Sequence, residues 1–311
     1  MQSIMKCCGQ KYGTRTASLK FQSRQLSRAS FRYVPQHITR TEYADTGSPQ
    51  QAPPYTYIFK NDEIQYMRES ALIARYILDY ACSVAEAGMT TDDVDRLAHE
   101  EIIRKGAFPS PLNYYGFPKS ICTSVNNIAC HGIPNTDDVL ADGDVLSIDV
   151  SVFYRGYHGD NCKTVIIGED KIQKSDREWK RQLLDINLKA LEDAISICGP
   201  GKCITEIGST IQKVADSNGY SSVEDFCGHG LGKTLHMPPL ILHYKNNNRQ
   251  EMVPNMIFTI EPIFTVGRKE IGVSPADNWS VFTQDGSIAS QFEHEVLITE
   301  HGAEVLTVPE L

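Results

Sequence analysis

Four carboxylates stand in hydrophobic, strand-like stretches of this chain, where an unpaired buried charge is costly. They are Asp149, Asp160, Glu261 and Glu293. Buried together, four negative charges would raise one another's pKa values, whereas two divalent cations would supply the matching positive charge. Any one of these acids, taken alone, is better explained as a surface or salt-bridged residue. Their shared setting favours a site for two metal ions.

Three histidines stand in settings that could complete such a site. His229 lies in the stretch Cys227–Gly232, whose glycines let the backbone approach a site closely. This stretch has the spacing of neither a phosphate-binding loop nor a dinucleotide fingerprint. A lone histidine in such a loop is more often structural than ligating. His131 and His236 each begin a His-x-x-Pro motif, and they would approach the site from opposite sides.

Two similar pairs of predicted helices must position these residues. In each pair, apolar residues recur at helical spacing, and glycine interrupts the pattern between the two helices. Thr91 and Thr205 are the predicted N-caps of the second helix in each pair. The chain therefore contains an internal repeat. The predicted helices span about residues 62–87 and 91–106 in the first pair and about residues 176–198 and 205–219 in the second.

Each helix pair is followed by a predicted strand that ends on an acid. Residues 143–149 end at Asp149 and residues 254–261 end at Glu261, so two facing halves would bring these acids near a shared axis. Side-chain alternation places Asp149 on the face opposite the apolar residues of its strand. A hairpin turn after that strand would return Asp160 to its side.

A further tight-turn signal, Asp285-Gly286, precedes the predicted strand that carries Glu293. Gln291, Glu293 and Glu295 would share one face of that strand. The whole pattern predicts an α+β fold in which two pseudo-symmetric halves surround an antiparallel sheet.

The charge distribution narrows the choice of partners. The chain has 30 Lys and Arg against 39 Asp and Glu, and residues 1–41 hold eight of the basic residues and no acid. The rest of the chain is therefore strongly acidic and would repel a phosphate backbone, so nucleic-acid binding has little support. No stretch approaches the roughly 20 apolar residues of a membrane span.

The N-terminal region divides the chain into three predicted parts. Residues 1–41 form a basic, serine-containing, acid-free extension that is typical of an organellar transit peptide. We expect mitochondrial import, with a plastid address, a cytoplasmic protein and a basic tail without an address as alternatives. Residues 42–59 are proline-rich and read as a linker, which leaves residues 60–311 as a single catalytic domain. The nine cysteines include no Cys-x-x-Cys pair, so no zinc finger is expected.

Several motifs in a fixed order carry a family resemblance. They are Ser147–Ser151, Gly159-Asp160, Gly228–Gly230, Thr259–Pro262 and Gln291–His294, together with residues 118–126 and 130–134. In this order they resemble the motifs of type I methionine aminopeptidases, of metallopeptidase family M24. The similarity covers about residues 60 to 308. It implies the pita-bread fold, whose two halves agree with the internal repeat.

The resemblance also implies roles for the site residues. Asp149 would chelate one metal, Asp160 and Glu293 would bridge the pair, and His229 and Glu261 would bind the other. The catalytic residues would be Glu261 as proton shuttle, His236 as the stabiliser of the oxyanion and His131 near the substrate's N-terminus. The two divalent ions could be cobalt, manganese, iron or zinc, since this donor set suits each of them.

A methionine pocket is implied beside the metals. By motif position, with His131 and His236 at its edge, its lining would comprise Tyr114, Phe117, Cys122, Leu235 and Trp279. Two positions depart from the bacterial pattern, because Pro111 stands where a cysteine is common and Leu235 where an aromatic is common. Plain core packing is an equal alternative for Tyr114 and Phe117.

The implied activity is that of a methionyl aminopeptidase. It would remove the initiator methionine from newly made proteins, preferably before a small second residue, through a metal-activated water. A monomer without nucleic-acid or membrane partners is the simplest expectation. The alternatives are a prolidase or aminopeptidase P of the same fold and, from another class, a binding protein that has this fold but no activity.

Overall fold

Two helix pairs organise the computed structural model, which describes residues 32–308. The first pair comprises α1 (Asn61–Val84) and α2 (Thr91–Arg104), and the second comprises α3 (Lys174–Ser196) and α4 (Thr205–Ser217). All four helices were predicted, with ends that differ by at most three residues. The internal repeat of the sequence is therefore a repeat in the structure.

The predicted helix caps are wrong in detail. Helix α2 begins at Thr91, and its N-cap is Thr90, whose hydroxyl accepts from the amide of Asp93 in a capping box. Helix α4 begins at Thr205 and has no side-chain cap. Instead, the Thr205 hydroxyl donates to the carbonyl of Asn246. The threonines mark the helix starts, but neither caps its own helix.

The strands of the described residues form four sheets, and every strand pair is antiparallel. The first half contributes β1 (Phe108–Pro109), β2 (Cys122–Val125), β3 (Ile128–Cys130), β4 (Val145–Tyr154) and β5 (Tyr157–Ile166). The second half contributes β6 (Ser221–Ser222), β7 (Cys227–Gly230), β8 (Met237–Leu242), β9 (Ile257–Ile260), β10 (Ile263–Thr265), β11 (Ile271–Val273), β12 (Val281–Thr283), β13 (Ala289–Gln291), β14 (His294–Ile298) and β15 (Ala303–Val305).

Each helix pair buries its apolar side against the strands of its own half. In the first half, residues of α1 and α2 pack on the apolar face of β4, including Ile148 and Val150. In the second half, α3 and α4 pack against β9, β10 and β14, around Phe258 and Phe264. Burial of these side chains away from water holds the sheets in place. This is the pita-bread arrangement: helices outside, and the opposite sheet faces turned toward each other.

The hairpin of β4 and β5 differs from its prediction at one point. Asp149 does not end its strand, because β4 continues to Tyr154 before turning through Arg155 and Gly156. The alternation of side chains is as predicted. Asp149 therefore lies on the face opposite the helices, and Asp160 on β5 pairs with Ser151 two positions along the strand.

The chain around Glu293 is also less regular than predicted. The turn at Asp285-Gly286 is present, with the Gly286 amide donating to the Thr283 carbonyl. However, the strands on its two sides pair with other partners. Glu293 itself lies in the gap between β13 and β14, and its amide donates to the carbonyl of Cys162 across the two halves.

Residues 32–59, which we call the N-terminal strap, lie against the folded body. Arg32 donates from Nε to Asp95, whose side chain is fully buried, and Tyr43 and Phe59 are also buried. The proposed division at residues 41 and 59 stays a prediction, but no change of packing marks residue 41. The transit-like sequence of residues 1–31 lies outside the described residues.

Two further expectations concern the described part of the chain. Among residues 32–308, no helix has the length and apolar character that a membrane span requires. Most of the cysteines of this part are buried.

Candidate metal centre and substrate pocket

Three predicted ligands meet between the halves. Asp160, His229 and Glu293 each offer a ligand atom, and these atoms lie within 4.8 Å of one another. All three side chains are buried. Asp160 comes from β5 in the first half and His229 from β7 in the second, while Glu293 follows β13. Because the halves face each other, residues far apart in sequence reach one point.

His229 is oriented by its own strand. Its Nδ1 donates to the carbonyl of Gly230 at 3.1 Å, so Nε2 carries the lone pair that a metal needs. The flanking glycines are required by close packing and not by an unusual turn. A Cβ at Gly228 would lie 2.2 Å from the carbonyl oxygen of Thr259, and one at Gly230 would lie 2.3 Å from that of Pro238.

The other two predicted ligands border the same cluster. Glu261 follows β9, and its Oε1 lies 3.6 Å from His229 Nε2. It accepts hydrogen bonds from Thr259 Oγ1 at 2.9 Å and from Gln291 Nε2 at 3.3 Å. Asp149 lies outside the tight cluster of three but lines the same pocket. It stands diagonally from Asp160 on the same face of the hairpin, because Asp149 pairs with Cys162 and Asp160 with Ser151.

Burial and mutual repulsion shift the pKa values of the ionisable groups in the cluster. Burial raises the pKa of Asp160 to about 6, although hydrogen bonds from Ser151 and the backbone oppose the shift. Burial, followed by the charge of neighbouring acids, raises the pKa of Asp149 and of Glu293 well above the usual range. Burial lowers the pKa of His229 to about 4, so the imidazole is neutral near pH 7.

These residues fit a divalent metal. His229 Nε2 lies 3.7 Å from Asp160 Oδ2 and 3.6 Å from Glu261 Oε1, too far for hydrogen bonds, which span about 2.7–3.2 Å. Atoms that each lie about 2.0–2.2 Å from one shared ion are separated by up to about 4 Å. The pocket that holds the four acids is lined by no lysine or arginine among the described residues. Oxygen donors with one neutral imidazole form a set typical of such ions.

The predicted methionine pocket opens beside this cluster in a cavity of about 350 Å³, near the lower end of the roughly 300–1,000 Å³ of small-molecule sites. Aromatic rings form much of its wall. Phe117 and Trp279 meet edge to face at 5.1 Å, and Leu235 packs against Tyr114 and Trp279. Every predicted lining residue borders this cavity: Tyr114, Phe117, Cys122, Leu235 and Trp279, with His131 and His236.

The two predicted catalytic histidines stand at different walls of the cavity. The ring of His236 lies 4.3 Å from that of His229, and its Nδ1 is 2.8 Å from the hydroxyl of Tyr114. His131 has a positive φ of 54°, and its buried Nδ1 has no hydrogen-bond partner among the described residues. Such strain and lack of a partner are typical of functional positions. Burial lowers the pKa of both imidazoles.

Sequence reasoning missed several residues of the site. His243 Nε2 accepts from the backbone amide of Glu261 at 3.1 Å, and the ring of Phe226 packs on His131. Phe226 directly precedes the glycine-rich motif, which could have drawn attention to it. Nothing in the sequence singled out His243. The strap residues Gln50–Pro53 also line the cavity, and the linker interpretation gave no reason to expect them there.

Comparison with known proteins identifies relatives from a single family. The profile of metallopeptidase family M24 matches residues 65–300. The chain is 43% identical over 276 residues to methionine aminopeptidase 1D, chloroplastic/mitochondrial, of Arabidopsis thaliana, covering 89% of this chain and 77% of that protein. It is 40% identical over 274 residues to the mitochondrial methionine aminopeptidase 1D of Homo sapiens, covering 88% and 79%.

Solved structures agree. The methionine aminopeptidase of Rickettsia prowazekii superposes with a TM-score of 0.78 at 35% identity, over 82% of this chain and 100% of that one. The prolidase of Pyrococcus furiosus shares the fold, with a TM-score of 0.62 at 23% identity, over 82% and 66%. The chain therefore belongs to metallopeptidase family M24 and, within it, to the type I methionine aminopeptidases.

Proposed function

We propose that this protein removes the N-terminal methionine from newly made proteins, preferably when the second residue is small. The observation that carries the proposal is the position of the acid and histidine cluster next to an aromatic-lined cavity. An apolar pocket suits a thioether side chain, and the volume of about 350 Å³ limits the size of what it can hold. Names of relatives that share about 40% of its residues support the same activity.

We further propose that two divalent ions occupy the cluster. Asp149, Asp160, His229, Glu261 and Glu293 would hold them, with Asp160 and Glu293 shared between the two. The bound pair would lower the pKa of a water molecule toward neutrality, so that a nucleophile is present near pH 7. Cobalt, manganese, iron and zinc all suit these donors, and supply in the cell selects among them.

Side chains of the protein would then transfer the proton and bind the substrate. Glu261, held by Thr259 and Gln291, would accept the proton of the attacking water and pass it to the leaving amine. His236, whose Nδ1 forms a hydrogen bond with the Tyr114 hydroxyl, would stabilise the negative charge that develops on the attacked carbonyl oxygen. His131 would contact the substrate's N-terminal residue. Burial keeps both imidazoles neutral, so each has one donor to offer.

We also propose that the protein acts in mitochondria. The acid-free, arginine-containing sequence of residues 1–41 supports import. Two relatives named above carry mitochondrial or chloroplastic names. A plastid address is the main alternative, and imaging of the full chain fused to a fluorescent protein distinguishes the two.

The test of activity is a peptide panel combined with metal analysis. The metal-loaded wild type should cleave Met-Ala-Ser and leave Xaa-Pro peptides intact. Glu261→Gln should lower kcat by about 10²- to 10⁴-fold, the usual contribution of a positioned acid–base group. Metal content of both proteins is measured in parallel, because Glu261 is also a proposed ligand.

The opposite preference, for Xaa-Pro peptides, would establish a prolidase or aminopeptidase P and refute the proposal. If Glu261→Gln cleaves peptides at the wild-type rate, the proposed role of Glu261 as proton shuttle is refuted, and the rest of the proposal stands. A wild type that binds metal but cleaves no peptide would favour the binding-protein alternative.

A further inference from the structure

The N-terminal strap spans the two halves on the open side of the cavity. Before the segment that lines the cavity, Tyr43 donates from its hydroxyl to the carbonyl of Ser110 at 2.6 Å, and Asn113 Nδ2 donates to the carbonyl of Ala44 at 2.9 Å. Both partners belong to the first half. The ring of Tyr43 also packs edge to face on Tyr114 at 5.1 Å, so this anchor lies directly behind the methionine pocket.

The other end of the strap is fixed to the second half. The backbone amide of Phe59 donates to the carbonyl of Asn255 at 3.0 Å, and the Thr56 hydroxyl accepts from Gln250 at 2.7 Å. Two anchors on different halves hold the residues between them across the gap that contains the cavity. Prolines in this stretch limit its freedom further.

The middle of the strap offers unused hydrogen-bonding groups. Residues Gln50–Pro53 line the cavity, and the side chains of Gln50 and Gln51 are largely exposed, whereas the metal ligands lie deeper. Within residues 32–308, the side-chain amides of Gln50 and Gln51 make no hydrogen bond, and the backbone amides of Gln51 and Ala52 donate none. The backbone amide of Gln50 donates to Glu42. A side-chain amide both donates and accepts, so it can pair with a peptide backbone of any sequence.

Geometry determines which part of a substrate reaches this position. The aromatic walls and the metal cluster take the first residue and its scissile bond, so the rest of the peptide must leave through the exposed side, where the strap lies. We propose that Gln50 and Gln51 bind the third and following residues of the peptide substrate, which makes the enzyme favour longer peptides. This proposal rests on the proposed aminopeptidase function. The strap lies before the residues 65–300 that define the family match.

The first experiment compares substrates of different length. Wild type should cleave a methionyl octapeptide with a kcat/KM about tenfold above that of the dipeptide Met-Ala-amide, since one or two ordinary hydrogen bonds supply such a factor. The double variant Q50A/Q51A should lose this advantage through KM, so that kcat/KM falls about tenfold more for the octapeptide than for the dipeptide. Tyr55→Ala is the matched control, because Tyr55 is exposed in the same segment and does not line the cavity.

The second experiment exchanges charge at one position. Gln51→Lys should favour peptides with acidic residues from the third position onward, and Gln51→Glu should favour basic ones. A segment that only supports the fold would not produce preferences of opposite sign. Changes of severalfold in kcat/KM at low salt are expected, since exposed charge pairs are weak and screened.

The outcomes separate the two levels of the proposal. If wild type cleaves neither the methionyl octapeptide nor the methionyl dipeptide, the proposed function fails. If wild type cleaves both but shows no length preference, or if Q50A/Q51A keeps that preference, the strap assignment fails while the function stands. Equal losses of Q50A/Q51A on dipeptide and octapeptide would also overturn the assignment.

Discussion

Strands carry most of the candidate metal ligands, whereas turns and loops supply most of the methionine pocket. Asp149, Asp160 and His229 stand on β4, β5 and β7. Strands β4 and β7 pair with neighbours on both sides, and β5 pairs with β4 along its whole length. Tyr114, by contrast, lies in a short 3₁₀ turn, and Trp279 lies in the loop between β11 and β12. Strand pairing fixes the face of the sheet to which each side chain points, because side chains alternate with a period of two. A loop imposes no such constraint.

The difference suggests that the two regions tolerate change unequally. A substitution at a metal ligand disturbs rigidly paired strands and changes the negative charge that would balance the metal ions. A pocket residue on a loop can be replaced at a cost set by its own contacts. The following variants test this contrast, beginning with the largest expected effect.

Asp160→Asn should nearly abolish activity. The change removes a ligand from the only group of three buried donors that the described residues form. Loss of even outer-shell partners of a metal costs about 10- to 100-fold, so a fall in kcat/KM of at least about 100-fold is expected. Metal content by elemental analysis should fall with it.

Asp170→Asn, at an exposed site, is the control and should behave as wild type. The metal-free Asp160→Asn protein should also melt at or above the temperature of metal-free wild type, because one repelling buried charge is gone. A lower melting temperature would instead assign Asp160 a structural role.

Gly230→Ala should destabilise the fold and reduce activity. The new methyl group would stand 2.3 Å from the Pro238 carbonyl oxygen, and backbone atoms cannot yield cheaply. Overpacking of this kind costs about 1–3 kcal/mol, measured as the free energy of unfolding in urea. Gly302→Ala is the matched control, because nothing lies within 4 Å of its added Cβ. Equal stability of the two variants would show that β7 and β8 are less rigid than the comparison assumes.

Metal binding should strengthen as pH rises from about 5 to about 6 and beyond, because the pKa values of Asp160, Asp149 and Glu293 are all raised. The pKa of Asp160 is raised to about 6 in the metal-free protein, so below that pH a proton must leave before the carboxylate can bind an ion. Affinity should therefore rise about tenfold per pH unit for each displaced proton. His229, with a pKa lowered to about 4, is neutral throughout and adds no dependence.

Isothermal titration with Mn²⁺ in buffers of different ionisation enthalpy measures both the affinity and the protons released. If the affinity does not change over this pH interval, the acids are already ionised. The raised pKa values of the ligands would then be wrong.

Tyr114→Phe should have the smallest effect. It removes the hydroxyl that lies 2.8 Å from His236 Nδ1 but keeps the ring in the pocket wall. A neutral hydrogen bond contributes about 1 kcal/mol, so kcat/KM should fall about five- to tenfold with metal content unchanged. Tyr115→Phe, at a neighbouring residue that is 40% exposed, should leave kcat/KM near the wild-type value. A loss near that of Asp160→Asn would remove the distinction between the two regions.

The same contrast explains what the sequence could predict. Alternation of apolar and polar residues indicated the direction of Asp149, because a strand has a fixed period. Helical spacing placed all four helices. The position of Glu293 between two strands could not be predicted, since it depends on a bridge to Cys162 in the other half. His243 supports Glu261 through a contact between segments 18 residues apart, and no local pattern encodes it.

The strap was the least predictable part, for a physical reason. Its prolines and polar residues resemble a linker in composition, and composition reports nothing about anchors such as Tyr43 and Phe59. Apolar residues that are isolated in a polar stretch have no periodicity to detect. Their burial depends on cavities that exist only after both halves have folded.

The ion pair at the start of the strap bears on proteolysis. Asp95 receives Arg32 on one oxygen and the backbone amides of Ser120 and Ile121 on the other, just before the strand that reaches the pocket at Cys122. A cleavage before Arg32 would leave this junction whole. A cleavage at residue 41 would strip a fully buried carboxylate of its positive partner, and a buried charge without a partner is strongly destabilising. Trimming the chain from its N-terminus is thus tolerable only as far as Arg32.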